Sequence, residues 1–411
     1  MQLDKSKELA WMTKPGNNFC AMPFIHMAIE ANGDVLPCCM GKPLKGLNIR
    51  NKTVGEVFND PVRKEFIESF KRNEQHPACE VCWKDPHSIR GKFSTSFASI
   101  DFTRSIMNGA DPKEQLQWLE IKAGNRCNLK CRICGVHNSS AWAKDNHTFR
   151  NANNDIKFKD SFAYKLTQSC DWIDDPKFWN DLEQMESLKY LHFMGGEPFM
   201  VPEHFQLIQA LVDNPDIDTS QTIIGYNTNG TYFPTKENFE LYRNFKEVMF
   251  ALSIDDIGPR FEYQRKIAEW QKVRNNIVNF KKRSIENDYI SVSMDPTINM
   301  FNIFYLNEIR EEFSKLGFSF EEAQEHYVFN HENDCRAMPK AVKDRILEKY
   351  KNDNSVWMRS IMKYLISKDY EDDTWTVFSQ VATAYDKIRD ENFKIVFKEF
   401  YELLKPHWIG E

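Results

Sequence analysis

Ten cysteines are distributed over 411 residues, and three of them, Cys127, Cys131 and Cys134, fall on one short stretch with CxxxCxxC spacing. Three thiolates on such a loop can converge on one face of an iron–sulfur cubane and leave one iron without a protein ligand. An open coordination position can take a substrate or cofactor, whereas a closed site is structural. Zinc is the alternative for the same loop, because His137 follows Cys134 by three residues and would complete a Cys₃His set. In the first hundred residues Cys20, Cys38 and the CxxC pair Cys79 and Cys82 supply four more thiols, enough to close a second metal site, with a structural zinc knuckle as the simpler reading. Cys39 is a fifth thiol there, more a neighbour than a ligand. Cys170 and Cys335 stand alone, and an isolated cysteine is most often a small buried residue.

Composition narrows the setting. Lys and Arg total 54 against 60 Asp and Glu, a net charge of −6, which removes the electrostatic case for a dedicated nucleic-acid binder. Hydrophobic residues make up 41% and charged residues 28%, ordinary globular values. Met1 to Lys14 lacks the apolar core of a signal peptide, and no apolar run approaches the ~18 residues of a membrane span. A reducing cytoplasm is therefore the expected compartment, where clustered thiols point to metal or catalysis. Glycine is sparse, 16 residues in all, so the pair Gly195-Gly196 stands out. It opens Gly195-Gly196-Glu197-Pro198 directly after an apolar run, where paired glycines suit close backbone approach to a ligand and, more plainly, an ordinary turn before a proline-initiated helix.

The elements that must position these residues alternate. Strands are expected at Leu116–Lys122, Tyr190–Met194, Thr222–Tyr226, Val248–Ile254 and Ile290–Met294, with helices such as Glu203–Val212 and Tyr263–Phe280 between them, the pattern of a parallel α/β sheet or partial barrel. Before them, Ile25–Ile29 and Val35–Leu36 flank an Asn32-Gly33 turn as a hairpin, Thr53–Lys71 has helical spacing, and Phe93–Lys113 reads as a connector with turns at Asn108-Gly109 and Asp111-Pro112. After about Asn333 the pattern is helical, including Val377–Ile388 and Phe393–Leu404, whose aromatic stripe reads as core. The run Lys281-Lys282-Arg283 reads as a solvated helix end. Tyr226, Asn227 and Asn299 lie at strand ends, where they could face a substrate or simply bond turns.

The CxxxCxxC loop, followed about 60 residues later by Gly195-Gly196-Glu197-Pro198, resembles the radical S-adenosylmethionine (SAM) enzymes over roughly residues 114–330. The resemblance implies a partial (β/α)₆ barrel with a [4Fe–4S] cluster held by Cys127, Cys131 and Cys134 and chelated by SAM at its fourth iron. It further implies that Gly195, Gly196, Glu197 and Pro198 form the motif that bonds the SAM amino group. Asn229, in Thr228-Asn229-Gly230, would lie near the ribose. Ser253 and Asp255 would form the SxDG-like strand end, and Arg265 would meet the SAM carboxylate. Without the resemblance, Ser253 and Asp255 are polar strand-end residues and Arg265 a solvated helix charge. Two departures stand out: Ile133 replaces an aromatic expected near adenine, and Asp256 replaces the glycine of SxDG.

Cys20, Cys38, Cys79 and Cys82, with Gly33 five residues before Cys38 and the Val54-Gly55-Glu56-Val57-Phe58 helix start, resemble the SPASM/twitch domains that bind auxiliary iron–sulfur clusters in these enzymes, in the shorter one-cluster form. The expected organisation is a small α+β auxiliary-cluster domain at 15–113, the barrel at 114–330 and a helical C-terminal region at 331–411. Cofactors implied are SAM, its [4Fe–4S] cluster and an auxiliary cluster of the [4Fe–4S] type, fed by a reductant such as flavodoxin or ferredoxin. The activity implied is reductive cleavage of SAM to a 5′-deoxyadenosyl radical that abstracts hydrogen from a substrate C–H bond. A peptide or protein side chain is the first substrate class implied. Oxidation or epimerisation of a carbohydrate- or aminoglycoside-like small polar metabolite is the second, and a non-catalytic zinc-stabilised binding protein is the rival from outside the family.

Overall fold

A computed structural model describes residues 6–12, 14, 16–84, 89–152, 171–175, 177–178, 185–320, 326–328, 332–369 and 372–409. Cys170 lies outside the described residues. They form two compact units: one drawn from 1–125, 168–226 and 234–249, the other from 126–167, 227–233 and 250–411. The strands that carry the argument are, in chain order, β1 (His26–Ile29), β2 (Val35–Leu36), β3 (Trp118–Lys122), β4 (Lys130–Cys131), β5 (Tyr190–Met194), β6 (Ile223–Thr228), β7 (Glu247–Leu252), β8 (Arg265–Lys266) and β9 (Ile290–Met294).

The first unit is a mostly parallel α/β sheet with strand order β2-β1-β3-β5-β6-β7. β1 runs parallel to β3, β3 to β5 and β5 to β6, while β2 closes the edge antiparallel to β1. Alternation explains one face of it: Met27, Leu119, Ile121, Leu191, Phe193, Ile224 and Tyr226 point the same way and are all buried. The opposite face is unusual for a covered parallel sheet, which normally reads as a continuous apolar run. There Glu120 stands beside His192 in register, with the His192 Nδ1 3.7 Å from the Glu120 Oε2, and Lys122 pairs with Glu30 at 2.6 Å.

The expected hairpin is present, and Gly33 makes its turn at φ 86°, where a Cβ would come within 2.8 Å of Asn48 Oδ1. What the alternation did not reveal is that β1 also pairs along its whole length with β3, so the N-terminal segment extends the main sheet. The helix expected over Thr53–Lys71 is two helices, Val54–Phe58 and Pro61–Lys71. Asp60 accepts from the Val62 amide, and Pro61 has no amide with which to continue the first helix. The expected connector contains a helix, Ile100–Met107, buried along Ile100, Phe102 and Thr103 and ended by Gly109 at φ 89°.

In the second unit the Asp295 amide, just after β9, donates to Leu252 O at 2.9 Å. The helix expected over Tyr263–Phe280 is interrupted: Gly258–Gln264 and Trp270–Glu286 flank β8, and Ile267 adopts φ 87°. The interruption has a reason in tertiary pairing, since β8 lies antiparallel to β4 and sets Arg265 opposite Cys131. The C-terminal helices pack an aromatic core in which Phe301, Phe378, Phe393 and Phe397 are all buried, and Phe397 splits the expected last helix into Phe393–Val396 and Lys398–Leu404. Among the described residues no helix is long and apolar enough to cross a membrane.

Tyr226 belongs to the core of the first unit and does not face an open cleft. Its hydroxyl lies 3.0 Å from both His204 Nε2 and Tyr242 Oη, all three side chains being buried. Tyr226→Phe removes a hydroxyl shared by two buried partners and is expected to lower unfolding free energy by about 1–3 kcal/mol, read by chemical denaturation.

Candidate metal and cofactor site

The three-cysteine loop lies in the second unit, with Cys131 buried and Cys127 and Cys134 half-buried. Burial pushes the Cys131 thiol up to about 12, with Cys127 adding to the shift and Arg265 opposing it. Cys134 is pushed up by burial and then by Cys131 and Cys127. The three sulfurs are thus close enough to disfavour one another's ionisation. As thiolates they require a multivalent cation among them, and this donor set fits an iron–sulfur cluster.

The residues expected to bind SAM in this unit gather around that loop. Arg265 is buried, which excludes the reading of a solvated helix charge. Its Nε and Nη2 donate to Asp255 Oδ2 at 3.0 and 2.7 Å, and its Nη1 lies 3.7 Å from Cys131 Sγ. Asp255 Oδ1 accepts from the Thr297 amide at 2.9 Å, and its carbonyl from Asn302 Nδ2. Asn229 Nδ2 donates to Asn128 Oδ1 at 3.0 Å and reaches to 3.8 Å from Cys127 Sγ. Ser253 is half-buried, its amide bonded to Thr228 O. Asn299 is fully buried, with its Oδ1 accepting from the Phe301 amide, and so bonds a turn.

Asp256, the departure from SxDG, is wholly buried and accepts from Arg260 Nε, Gln264 Nε2 and the Ile257 amide. Burial raises its carboxyl to about 7 in spite of Arg260. Gln264 in turn accepts the Arg132 amide through its carbonyl at 2.7 Å, so Asp256 braces the helix against which the cluster loop rests.

A second brace was not visible in the spacing of the cysteines. Lys130 and Arg132, the neighbours of Cys131, are both tied to acids, and those of Arg132 are distant in the chain. Arg132, its side chain only 3% exposed, meets Asp386 at 2.7 Å and Glu391 at 2.6 Å and stacks 3.8 Å over the Tyr263 ring. Lys130 meets Asp145 at 2.8 Å, and Asp145 also meets Arg389 at 2.8 Å. The helix Asp372–Arg389 and the residues just after it therefore hold the loop from outside the matched motifs. The alternation of Lys130, Cys131 and Arg132 was the available signal, but the acids that meet Arg132 lie about 250 residues away in the chain.

Gly195, Gly196, Glu197 and Pro198 lie in the first unit, at the end of β5. Gly195 takes φ 70° and Gly196 φ 52°, and a Cβ on Gly195 would come within 2.6 Å of Lys122 Cβ, so only glycine fits there. Glu197 is buried and caps the Pro198–Met200 turn. The same unit holds the four N-terminal thiols. Cys20, Cys38, Cys79 and Cys82 line one small cavity of about 20 Å³ walled by Phe70 and Phe93, and Cys39 does not line it. Burial raises Cys20, Cys38 and Cys79; Cys20 and Cys82 add to the shift at Cys38, and Cys20, Cys38 and Cys82 to that at Cys79. Four thiols lining one cavity are a donor set that fits an iron–sulfur cluster.

Residues 121–313 match the model of the radical SAM superfamily, and residues 20–83 match the SPASM iron–sulfur cluster-binding domain. The chain carries a radical SAM domain and a SPASM domain. A radical SAM domain works with a [4Fe–4S] cluster and SAM, and SPASM domains bind auxiliary iron–sulfur clusters. No curated protein matches the chain. Among solved structures it is similar to native anSMEcpe, an anaerobic sulfatase-maturating enzyme, with bound AdoMet and the Cp18Cys peptide (16% identity, 66% of this chain and 60% of that one, TM-score 0.34). It is similar also to native anSMEcpe with bound AdoMet alone (17% identity, 66% of this chain and 61% of that one, TM-score 0.35). The chain thus spans about 60% of the length of these structures.

Two outcomes are expected. Arg132→Met leaves Asp386 and Glu391 facing a buried apolar side chain; breaking such a buried pair costs about 3–5 kcal/mol. The variant should melt at lower temperature and retain less iron per chain after anaerobic reconstitution than the parent. Asp256 keeps its proton in the folded state up to about pH 7, whereas the unfolded carboxyl loses it near ~3.9. The folded state binds the extra proton between those values, so stability falls as pH rises across that window. In Asp256→Asn this slope should flatten, as measured by thermal unfolding from pH 4 to 7.

Proposed function

We propose that this enzyme abstracts hydrogen from a C–H bond on a peptide or protein side chain, with Cys127, Cys131 and Cys134 holding the SAM cluster and Cys20, Cys38, Cys79 and Cys82 an auxiliary cluster. When bound, the first cluster and SAM supply hydrogen-atom abstraction from an unactivated C–H bond, driven by one electron from a reductant such as flavodoxin or ferredoxin. The observation that carries the reading is the pair of thiol sets, one of three on a loop and one of four around a cavity. The three-thiol set leaves room for a ligand that is not protein; the four-thiol set does not.

The remaining residues orient and enclose. Asp255 fixes the guanidinium of Arg265 beside Cys131, where it can receive a carboxylate in bidentate fashion. Gly195 and Gly196, both at positive φ, present backbone at a strand end where a side chain would intrude, which suits them to the amino group of SAM. Asn229, anchored through Asn128, is placed to meet a ribose hydroxyl. Ser253 and Asp255 close the strand end, Pro198 stiffens the turn after Glu197, and the ion pairs around Lys130 and Arg132 keep the loop from opening to water. The SPASM match supports the auxiliary cluster, and the domain sequence 15–113, 114–330, 331–411 is the organisation under which we read the chain.

Anaerobic reconstitution tests this directly. The parent should bind iron and acid-labile sulfide for two clusters and release 5′-deoxyadenosine from SAM on reduction. The combined Cys127→Ala, Cys131→Ala, Cys134→Ala chain should lose that product while keeping about half the iron, and replacement of Cys20, Cys38, Cys79 and Cys82 should lose the other half. Stoichiometric zinc without sulfide, or no SAM cleavage by the loaded parent, would overturn the reading.

A further inference from the structure

The cavity that holds the four N-terminal thiols also contains a cation. Arg90, on the helix Ile89–Ser94, lines it together with Trp83 and is 5% exposed. One nitrogen, Nη1, donates to the carbonyls of Asn17 at 3.0 Å and Phe19 at 3.1 Å, and the guanidinium carbon stands 5.1 Å from the Trp83 ring centroid. Its Nε is buried without an acceptor. Buried arginine is ordinarily paired with a carboxylate, because an unpaired charge withdrawn from water is strongly disfavoured. Among the described residues no carboxylate pairs with Arg90; burial pulls its guanidinium down, and the groups that pull it back up are Cys20, Cys82 and Cys79. Two backbone carbonyls and an aromatic face hold the group in place, and neither neutralises it.

We propose that Arg90 is the charge partner of the auxiliary iron–sulfur cluster, its free Nε–H donating to a sulfur of that cluster and favouring the cluster's reduced state. The inference rests on the reading that Cys20, Cys38, Cys79 and Cys82 hold a cluster. Four thiolates around a cubane make a net anion that becomes more negative by one charge when it accepts an electron. A fixed cation in a low-dielectric cavity therefore stabilises the reduced form more than the oxidised form, and a hydrogen bond to sulfur acts in the same direction. The electron comes from an external one-electron donor, reduced methyl viologen or dithionite in the experiment below, and no bond in the protein is made or broken. Arg90 is a positioning and tuning residue, acting through the cluster.

The experiment is an EPR-monitored redox titration of the reconstituted full chain, with the auxiliary signal identified as the one that survives replacement of Cys127, Cys131 and Cys134. Arg90→Gln should lower its midpoint, shifting the one-electron equilibrium at least tenfold toward the oxidised form, which is about 59 mV. Arg90→Lys, which keeps the charge, should restore most of the difference. A second measurement needs no variant: with ¹⁵N-arginine in the parent chain, pulsed EPR of the reduced cluster should show a nitrogen coupling. An unchanged midpoint in Arg90→Gln at full iron content, or no nitrogen coupling in the parent, would overturn the proposal. Absence of the auxiliary signal from the loaded parent would instead overturn the reading on which it rests.

Discussion

Sulfur anions that have left water must be met by positive charge, and much of this chain is arranged around that requirement. Seven cysteines occur in two groups, and in each group burial and mutual repulsion both work against ionisation. Metal ions relieve the conflict, and the protein adds organic cations beside both sets: Arg265 at the three-thiol loop and Arg90 in the four-thiol cavity. The two cations differ in their surroundings. Arg265 is balanced by Asp255 and is geometrically fixed for recognition, while Arg90 has only carbonyls, a ring and thiols around it.

The three-cysteine loop is held by residues distant from it in the chain. β8 breaks what would otherwise be a continuous helix so that Arg265 can face Cys131. Asp256 braces the preceding helix, which receives the Arg132 amide. Behind the loop, Arg132 and Arg389 carry buried charge to Asp386, Glu391 and Asp145. Buried ion pairs contribute little net stability but are costly to break singly, so such a network favours one arrangement over its alternatives. The helical C-terminal region thereby has a task at the site that its aromatic pattern alone does not suggest.

In the first unit the sheet has one apolar face and one carrying Glu120, His192 and Lys122. Burial works against the charge of Glu120, but His192, His26 and Lys122 hold its carboxyl below the usual range. The N-terminal segment joins this sheet through β1, so the SPASM residues and the strand carrying Glu120 share one hydrogen-bonded layer. The Pro37 carbonyl, next to Cys38, lies 3.1 Å from His26 Nδ1, and that ring packs edge-on against Trp118.

Much of the chemistry was legible from local pattern, because cysteine spacing, paired glycines and strand periodicity are short-range properties. Cys127, Cys131, Cys134, the Gly195–Pro198 turn and the strands Tyr190–Met194 and Ile290–Met294 could all be read without a fold, and the four N-terminal thiols could be grouped. What lay beyond reach depends on contacts remote in sequence. Pairing of β1 with β3, interruption of the Tyr263–Phe280 helix by β8, and burial of Tyr226 against His204 each follow from a partner tens to more than a hundred residues away. The same holds for the charges. Arginine is written identically whether it is solvated, paired or stranded in a cavity; only tertiary packing removed the water around Arg265, Arg132 and Arg90, and desolvation is what gives each of them a role.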